Sequence, residues 1–222
     1  LANKYFEMPQ KVEGKEFSLT LKIDGQRCLL VKENGKVSMF SRQGQTIENC
    51  IDIIQEAENI PCDNFVLDGE LTLLDGIGIT SKDQYKQTLK ITRKDGEKHG
   101  IKLLTFDFLE LEEFKNQKCV NTYSQRRNKL TRLDNDIIMK YIEILPVLYS
   151  GNDTSEIMKW LDKERADSQE GIMINLNDTF YEFKRTSNLL KCKVMQDADL
   201  LITNTYEGTG RNSKKLGGIE VE

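Results

Sequence analysis

Three short runs, Phe17 to Ile23, Arg27 to Glu33 and Lys36 to Phe40, follow one another with only a few residues between them, among them Asp24-Gly25 and Asn34-Gly35. The first alternates apolar and polar residues, which places successive side chains on opposite faces of an extended chain, and Asn-Gly is a favoured two-residue hairpin turn. The chain therefore opens on antiparallel strands. Similar runs predict strands over Phe65 to Leu74, Ile101 to Leu109, Gly171 to Leu176, Tyr181 to Phe183 and Leu189 to Met195. Helical spacing of Ile47, Ile51, Ile54 and Ala57 predicts a helix over Ile47 to Glu58. Capping-box pairs, Thr122 with Gln125 and Asp153 with Glu156, start helices that run to Leu133 and to near Arg165. Strands and helices without regular βαβ spacing imply an α+β architecture of antiparallel sheets flanked by helices.

The first turn also carries chemistry. Lys22, Asp24, Gly25 and Arg27 form K-I-D-G-Q-R, and a lysine two residues before an aspartate shares its face of an extended chain. A cationic nucleophile, an acid and a glycine turn would meet at one spot. K-x-D-G alone is short enough to arise by chance, so its meaning depends on partners elsewhere. Candidates follow in order: S-R-Q-G at Ser41 to Gly44, D-G-E-L at Asp68 to Leu71, T-F-D-F at Thr105 to Phe108, E-G-I-M-I at Glu170 to Ile174, and L-L-K-C-K at Leu189 to Lys193. Lys191 and Lys193 are two apart on a strand, so both can point at one anion. Glu70 and Glu170 each adjoin a glycine, where backbone can let a ligand approach.

Composition narrows the setting. With 222 residues, 38% apolar and 31% charged, the chain can bury the core of one large domain, or of one domain plus a fragment. No apolar run approaches the roughly 18 to 20 residues that span a bilayer, and Leu1 to Gln10 lacks a signal-peptide pattern. Five scattered cysteines without C-x-x-C spacing argue against a disulfide framework or zinc site and imply intracellular thiols. The single histidine, His99, sits in a polar stretch and leaves little material for a Ser-His-Asp triad. A net charge of −4 argues against a general nucleic-acid binder, yet Lys184 to Lys215 holds seven basic residues against three acidic ones. Distribution matters more than the sum.

Taken as an ordered set, the motifs resemble the nucleotidyltransferase domain shared by ATP-dependent DNA ligases, RNA ligases and mRNA capping enzymes, over nearly the whole chain. The resemblance implies an ATP-grasp-like adenylylation domain over residues 1–196. Residues 197–222, with a strand from Leu200 to Thr205, the basic loop E-G-T-G-R-N-S-K-K and a strand from Leu216, would begin an oligonucleotide-binding barrel. Lys22 would attack the α-phosphate of ATP and carry AMP. Such a lysine must lose its proton near neutral pH although a free one titrates at about 10.4, and Lys191, Lys193 and bound Mg²⁺ would lower it. Asp24, Gly25, Arg27, Arg42, Glu70, Phe106, Lys191 and Lys193 would bind the nucleotide, with Phe106 stacking on adenine and Arg42 holding a 5′-phosphate. Glu170 and Glu70 would hold Mg²⁺.

Two departures stand out: Thr20 occupies the place where many DNA ligases carry a glutamate that helps read adenine, and Asn175 replaces the lysine that usually ends the E-G motif. The E-G-T-G-R opening and the L-G-G-I-E-V strand favour a DNA ligase of small phage or bacterial type, acting as a cytoplasmic, nucleoid-associated monomer on nicked duplex DNA in repair, replication or recombination. An RNA ligase, a GTP-using capping enzyme and a non-catalytic nick-binding module are the alternatives.

Overall fold

The computed structural model describes residues 1–76, 79–136, 139–193 and 199–222. In chain order the strands are β1 (Ala2–Lys4), β2 (Phe17–Leu21), β3 (Gln26–Glu33), β4 (Lys36–Ser41), β5 (Phe65–Leu73), β6 (Ile101–Glu110), β7 (Ile142–Ile144), β8 (Val147–Gly151), β9 (Gly171–Leu176), β10 (Thr186–Lys193), β11 (Ile202–Glu207) and β12 (Leu216–Val221). The helices are α1 (Ile51–Glu58), α2 (Ser81–Thr92), α3 (Leu111–Lys115), α4 (Tyr123–Asp136) and α5 (Ser155–Ala166).

Two five-stranded sheets result, one in the order β1-β10-β9-β2-β8 and the other β4-β3-β5-β6-β7. Pairing is antiparallel except at β1 with β10 and β6 with β7, so each sheet ends in one parallel edge. The alternation seen in the sequence has a direct consequence in β3. Cys28 and Leu30 enter the core shared with α1, α4 and β5, whereas Val31, with Leu29 packed alongside, enters a second core with Val66, Leu109 and Leu111. Phe17, Leu19, Ile172, Ile174 and Leu190 form a third core under α5. Lys32 is 1% exposed because its ammonium donates to the carbonyls of Glu58, at 2.9 Å, and Ile60, at 2.6 Å, where α1 ends. A cation at a helix C-terminus satisfies otherwise orphaned carbonyls.

Several expected elements move. The strand expected over Phe17 to Ile23 is β2 and stops at Leu21, so Lys22 to Gly25 form a connection rather than a shared strand face. The helix expected from Ile47 begins at Ile51. Tyr181 to Phe183 is not a strand, and β10 begins at Thr186 rather than Leu189, while Met195 lies outside the described residues. The Thr122–Gln125 box forms in both directions, at 2.8 Å and 3.4 Å. At α5 the expected box does not form: the Asp153 carboxylate accepts from the Ser155 N–H at 2.9 Å, and Glu156 pairs with Lys159. The helix α2, with Thr80 as its cap, and the edge strands β1, β7 and β8 carried no strong sequence signal. β11 and β12 pair with each other as an exposed hairpin across a turn at Gly210–Asn212. The expected boundary between residues 196 and 197 lies outside the described residues. No helix among the described residues is long and apolar enough to cross a membrane.

Candidate active site

A cleft of about 360 Å³ opens between the two sheets, within the usual size of a small-ligand site. Lys22 enters it from the end of β2, where its N–H donates to the Gly171 carbonyl at 2.8 Å. That bond fixes Lys22 beside Glu170, and the Lys22 ammonium is ion-paired to the Glu170 carboxylate. Lys193, the last residue of β10, takes the other oxygen of the same carboxylate. Gly171 makes this approach possible: its φ is +140°, and a β-carbon there would collide with the Cys192 carbonyl. Gly25 is needed for a related reason, since a β-carbon would strike the carbonyl of Leu71 next to Glu70.

The opposite wall belongs to the second sheet. Arg27 lies across from Glu70 in the β3–β5 register, yet its guanidinium grips Asp68 with two nitrogens and lies 4.8 Å from the centre of the Phe106 ring. Asp68 also accepts from the Tyr181 hydroxyl at 2.8 Å. Phe106 owes its direction to a break in register: Asp68 pairs with Asp107 and Gly69 with Thr105, which leaves Phe106 as the extra residue of a bulge. A bulge re-aims a side chain. Behind it, buried Asp107 pairs with Arg126 at 2.7 Å and 3.0 Å.

Electrostatics divide the charged groups. Burial holds the Lys22 ammonium below the ordinary lysine range, although Asp24 and Glu70 pull it up. Lys193 is lowered as well, by burial and then by Lys22. Glu70 is pushed up to about 8 by burial, against Arg27 and Lys22, and its Oε2 has no partner among the described residues. Burial opposes the charge of Arg27, but Asp68, Tyr181 and Glu70 together hold it charged.

The whole of residues 1–193 matches the family model of the ATP-dependent DNA ligase domain. The chain belongs to that family. Its similarity to DNA ligase 1 of Saccharomyces cerevisiae is 27% identity over 96% of this chain and 30% of that protein. To the DNA ligase of Methanococcus maripaludis it is 22% over 95% and 40% respectively. The ligase domain described here thus spans less than half the length of these curated relatives. Among solved structures, Pmar-Lig_PreS3 superposes with a TM-score of 0.83 at 28% identity, over all of this chain and 52% of that one. The bacteriophage T7 ATP-dependent DNA ligase in complex with ATP shares the fold, with a TM-score of 0.67 at 16% identity over all of this chain and 76% of that one.

The ligase domain gathers most of the residues singled out from sequence. Lys22, Arg27, Glu70, Phe106, Lys191 and Lys193 line the cleft, Arg42 lies exposed at its mouth, and Glu170 bridges the two lysines. Asp24 is near enough to act on the charge of Lys22, and Gly25 packs against β5. Glu70 sits inside β5, a central strand. Arg27 lines the cleft with its guanidinium held by Asp68 and against Phe106. One expectation changes. Burial, not neighbouring lysines, is the main cause lowering Lys22. Sequence reasoning missed Met173, Leu145, Tyr123, Tyr181 and Arg185 as cleft residues. Met173 was within reach, because Ile172, Ile174 and Leu176 face the core and leave the intervening positions to the cleft.

Among the described residues no group of three or more His, Cys, Asp or Glu side chains could hold a metal unaided. Glu170, together with the unpartnered Oε2 of Glu70, supplies hard oxygen donors of the kind that suit Mg²⁺, which takes few carboxylates and relies on substrate phosphates and water. The fit is to an ion that arrives with a nucleotide.

Proposed function

We propose that this domain performs nucleotidyl transfer in an ATP-dependent DNA ligase, with Lys22 as the nucleophile. The observation that carries the reading is the convergence of Lys22 and Lys193, which line the cleft with Phe106 and Glu70, on the single carboxylate of Glu170. The unprotonated Lys22 amine attacks the α-phosphorus of ATP, a P–N bond forms, and the bond to pyrophosphate breaks. AMP then passes to the 5′-phosphate of a nick, and the 3′-hydroxyl displaces it to seal the strand.

Each side chain has a part to play. Burial supplies the free amine, and Lys193 with Lys191 meets the negative charge that builds on the α-phosphate. Phe106 stacks on the base, Glu70 and Arg27 face the ribose, Asp24 and Gly25 shape the turn under the phosphates, and Arg42 receives the 5′-phosphate. Glu170 and Glu70 would hold Mg²⁺, which when bound polarises the phosphate oxygens. We assign 1–196 to the adenylylation domain and 197–222 to the start of an oligonucleotide-binding barrel, in keeping with the exposed β11–β12 hairpin. One chain supplies every wall of the cleft, which supports a monomer on nicked duplex DNA. Five free cysteines suit a cytoplasmic, nucleoid-associated enzyme.

Incubation with ATP and Mg²⁺, followed by intact and peptide mass spectrometry, tests the reading. One AMP on Lys22 is the expected result. No adduct with ATP, or equal labelling by GTP, would overturn ATP-dependent ligation as the function.

A further inference from the structure

One end of the cleft holds buried hydrogen-bonding capacity that the protein does not use. Tyr123 opens α4 and lines the cleft with Thr20, Leu145 and Met173. It is 3% exposed, yet its hydroxyl has no hydrogen-bond partner among the described residues. Arg127, one helical turn further on, donates one amine to the Leu145 carbonyl and leaves its Nη1 without a partner. The two groups are near enough to act on each other's charge, but they do not bond to one another. Leu145 in turn donates its N–H to the Thr105 carbonyl at 2.8 Å, next to Phe106. Tyr123 and Phe106 therefore border the same end of the cleft.

A buried hydroxyl without a partner costs stability, so its retention in a ligand cleft points to a partner that arrives with the ligand. The chemistry of this end is specific. Thr20 is 2% exposed and brings a hydroxyl, Arg127 brings donors alone, and the nearby carboxylate of Asp107 is spent on Arg126. Of the acceptors among these four side chains, the Asp107 carboxylate is already engaged by Arg126 and the Phe108 N–H, and the Tyr123 hydroxyl is the buried one without a partner among the described residues.

We propose that the Tyr123 hydroxyl reads the base of the nucleotide by accepting a hydrogen bond from the exocyclic 6-amino group of adenine. This rests on the reading of the cleft as an ATP site and adds a specificity-determining residue to it. A hydroxyl also donates, so it tolerates the 6-oxo group of guanine better than a carboxylate does, and the preference for ATP over GTP that it confers is modest.

The test compares equilibrium binding of ATP and of purine riboside triphosphate, which lacks the 6-amino group, in EDTA so that no turnover occurs. Wild-type protein is expected to bind the analogue about ten-fold more weakly, the value of one hydrogen bond. Tyr123→Phe should bind both alike, at the level of wild type with the analogue, while Thr20→Val keeps the wild-type ratio. Equal wild-type affinities for the two nucleotides would overturn the proposal without recourse to any variant. So would a Tyr123→Phe protein that retains the wild-type ratio, or a wild type that binds neither nucleotide. Lys22 labelling is scored separately: the expected binding pattern without an adduct sinks the ligase reading and leaves the base-reading role standing, whereas an adduct without the pattern does the reverse.

Discussion

Lys22 and Glu170 stand 148 positions apart in the chain and are ion-paired in the fold. An opposite charge in contact favours the ammonium form of Lys22, as Asp24 and Glu70 also do, while burial disfavours it; if Lys22 is the nucleophile, as proposed, Glu170 holds its proton until the carboxylate is drawn elsewhere. Glu170→Gln removes the opposing charge and keeps the shape. The rate of lysyl-AMP formation should rise with pH to a plateau in both proteins, with the midpoint of the variant lower by about one unit. The variant should also need more Mg²⁺ to reach half its maximal rate. A pH–rate series at fixed Mg²⁺ checks this, and an unchanged or higher midpoint would remove Glu170 as the group that holds the proton on Lys22.

Lys22→Ala should abolish the adduct, and Lys22→Arg should do so too, because a guanidinium stays protonated and cannot attack phosphorus. Both variants should melt close to wild type, since the side chain is only partly buried. Undiminished labelling in either would place the nucleophile elsewhere.

Glu70 gives a stability signal with a fixed sign. Its carboxyl is raised from 4.5 to about 8 in the folded protein, so the native state holds that proton more tightly than the unfolded chain does. The resulting stabilisation is complete below about pH 4.5 and is lost as pH climbs through about 8. Glu70→Gln cannot lose it. Thermal melts should show the two proteins converging near pH 5, with the variant melting higher at pH 9 by roughly 5 °C or more. A wild type that gains on the variant as pH rises would reverse the sign and show Glu70 to be stabilised by its charge.

How much of this was legible in the sequence depends on the distance over which each feature is decided. β2 to β5 were readable because period-two alternation and the Asn34-Gly35 turn are local. Met173 could have been found by the same alternation. Phe106 was located by motif, but its direction comes from a bulge, which only the β5–β6 register reveals. α2 is a largely polar helix whose single fully buried residue is Thr88, so periodicity had little to detect. β1 spans three residues and forms only because β10 offers it an edge. The commitment of Arg27 to Asp68 could not be seen, because both residues sit in motifs that the resemblance turns toward a ligand.

The buried pair of Asp107 and Arg126 was equally invisible, since its meaning lies in burial. Arg126 also donates to the Asn121 carbonyl at 2.8 Å and to Thr179 at 3.3 Å, tying α4 to both the second sheet and the segment after β9. Arg126→Met leaves the buried Asp107 carboxyl without its cation, either charged and unpaired or carrying a proton. A loss of about 3 to 5 kcal/mol is expected in denaturant unfolding, with nucleotide affinity falling alongside. If Arg126→Met and Asp107→Asn each cost less than about 1 kcal/mol, the pair is not holding the walls of the cleft together.

Arg42 provides the test of whether the domain holds the 5′-phosphate of a nick, as proposed. It follows β4 in the turn closed by the Ser41 carbonyl and the Gly44 N–H at 2.9 Å, and it is exposed at the mouth of the cleft, where a guanidinium fork suits a terminal phosphate. Arg42→Ala should weaken binding of a nicked duplex bearing a 5′-phosphate, and should change little when the nick carries a 5′-hydroxyl. Each phosphate contact contributes about −0.9 to the slope of log affinity against log salt, so the variant should lose about one contact's worth of slope. Because the chain carries a net charge of −4, few phosphates can be neutralised. The wild-type slope should therefore be shallow and nick sealing slow. A steep slope, equivalent to about six or more contacts, would show that this domain already carries a full DNA surface. An Arg42→Ala slope equal to wild type would show that the 5′-phosphate is held by other residues.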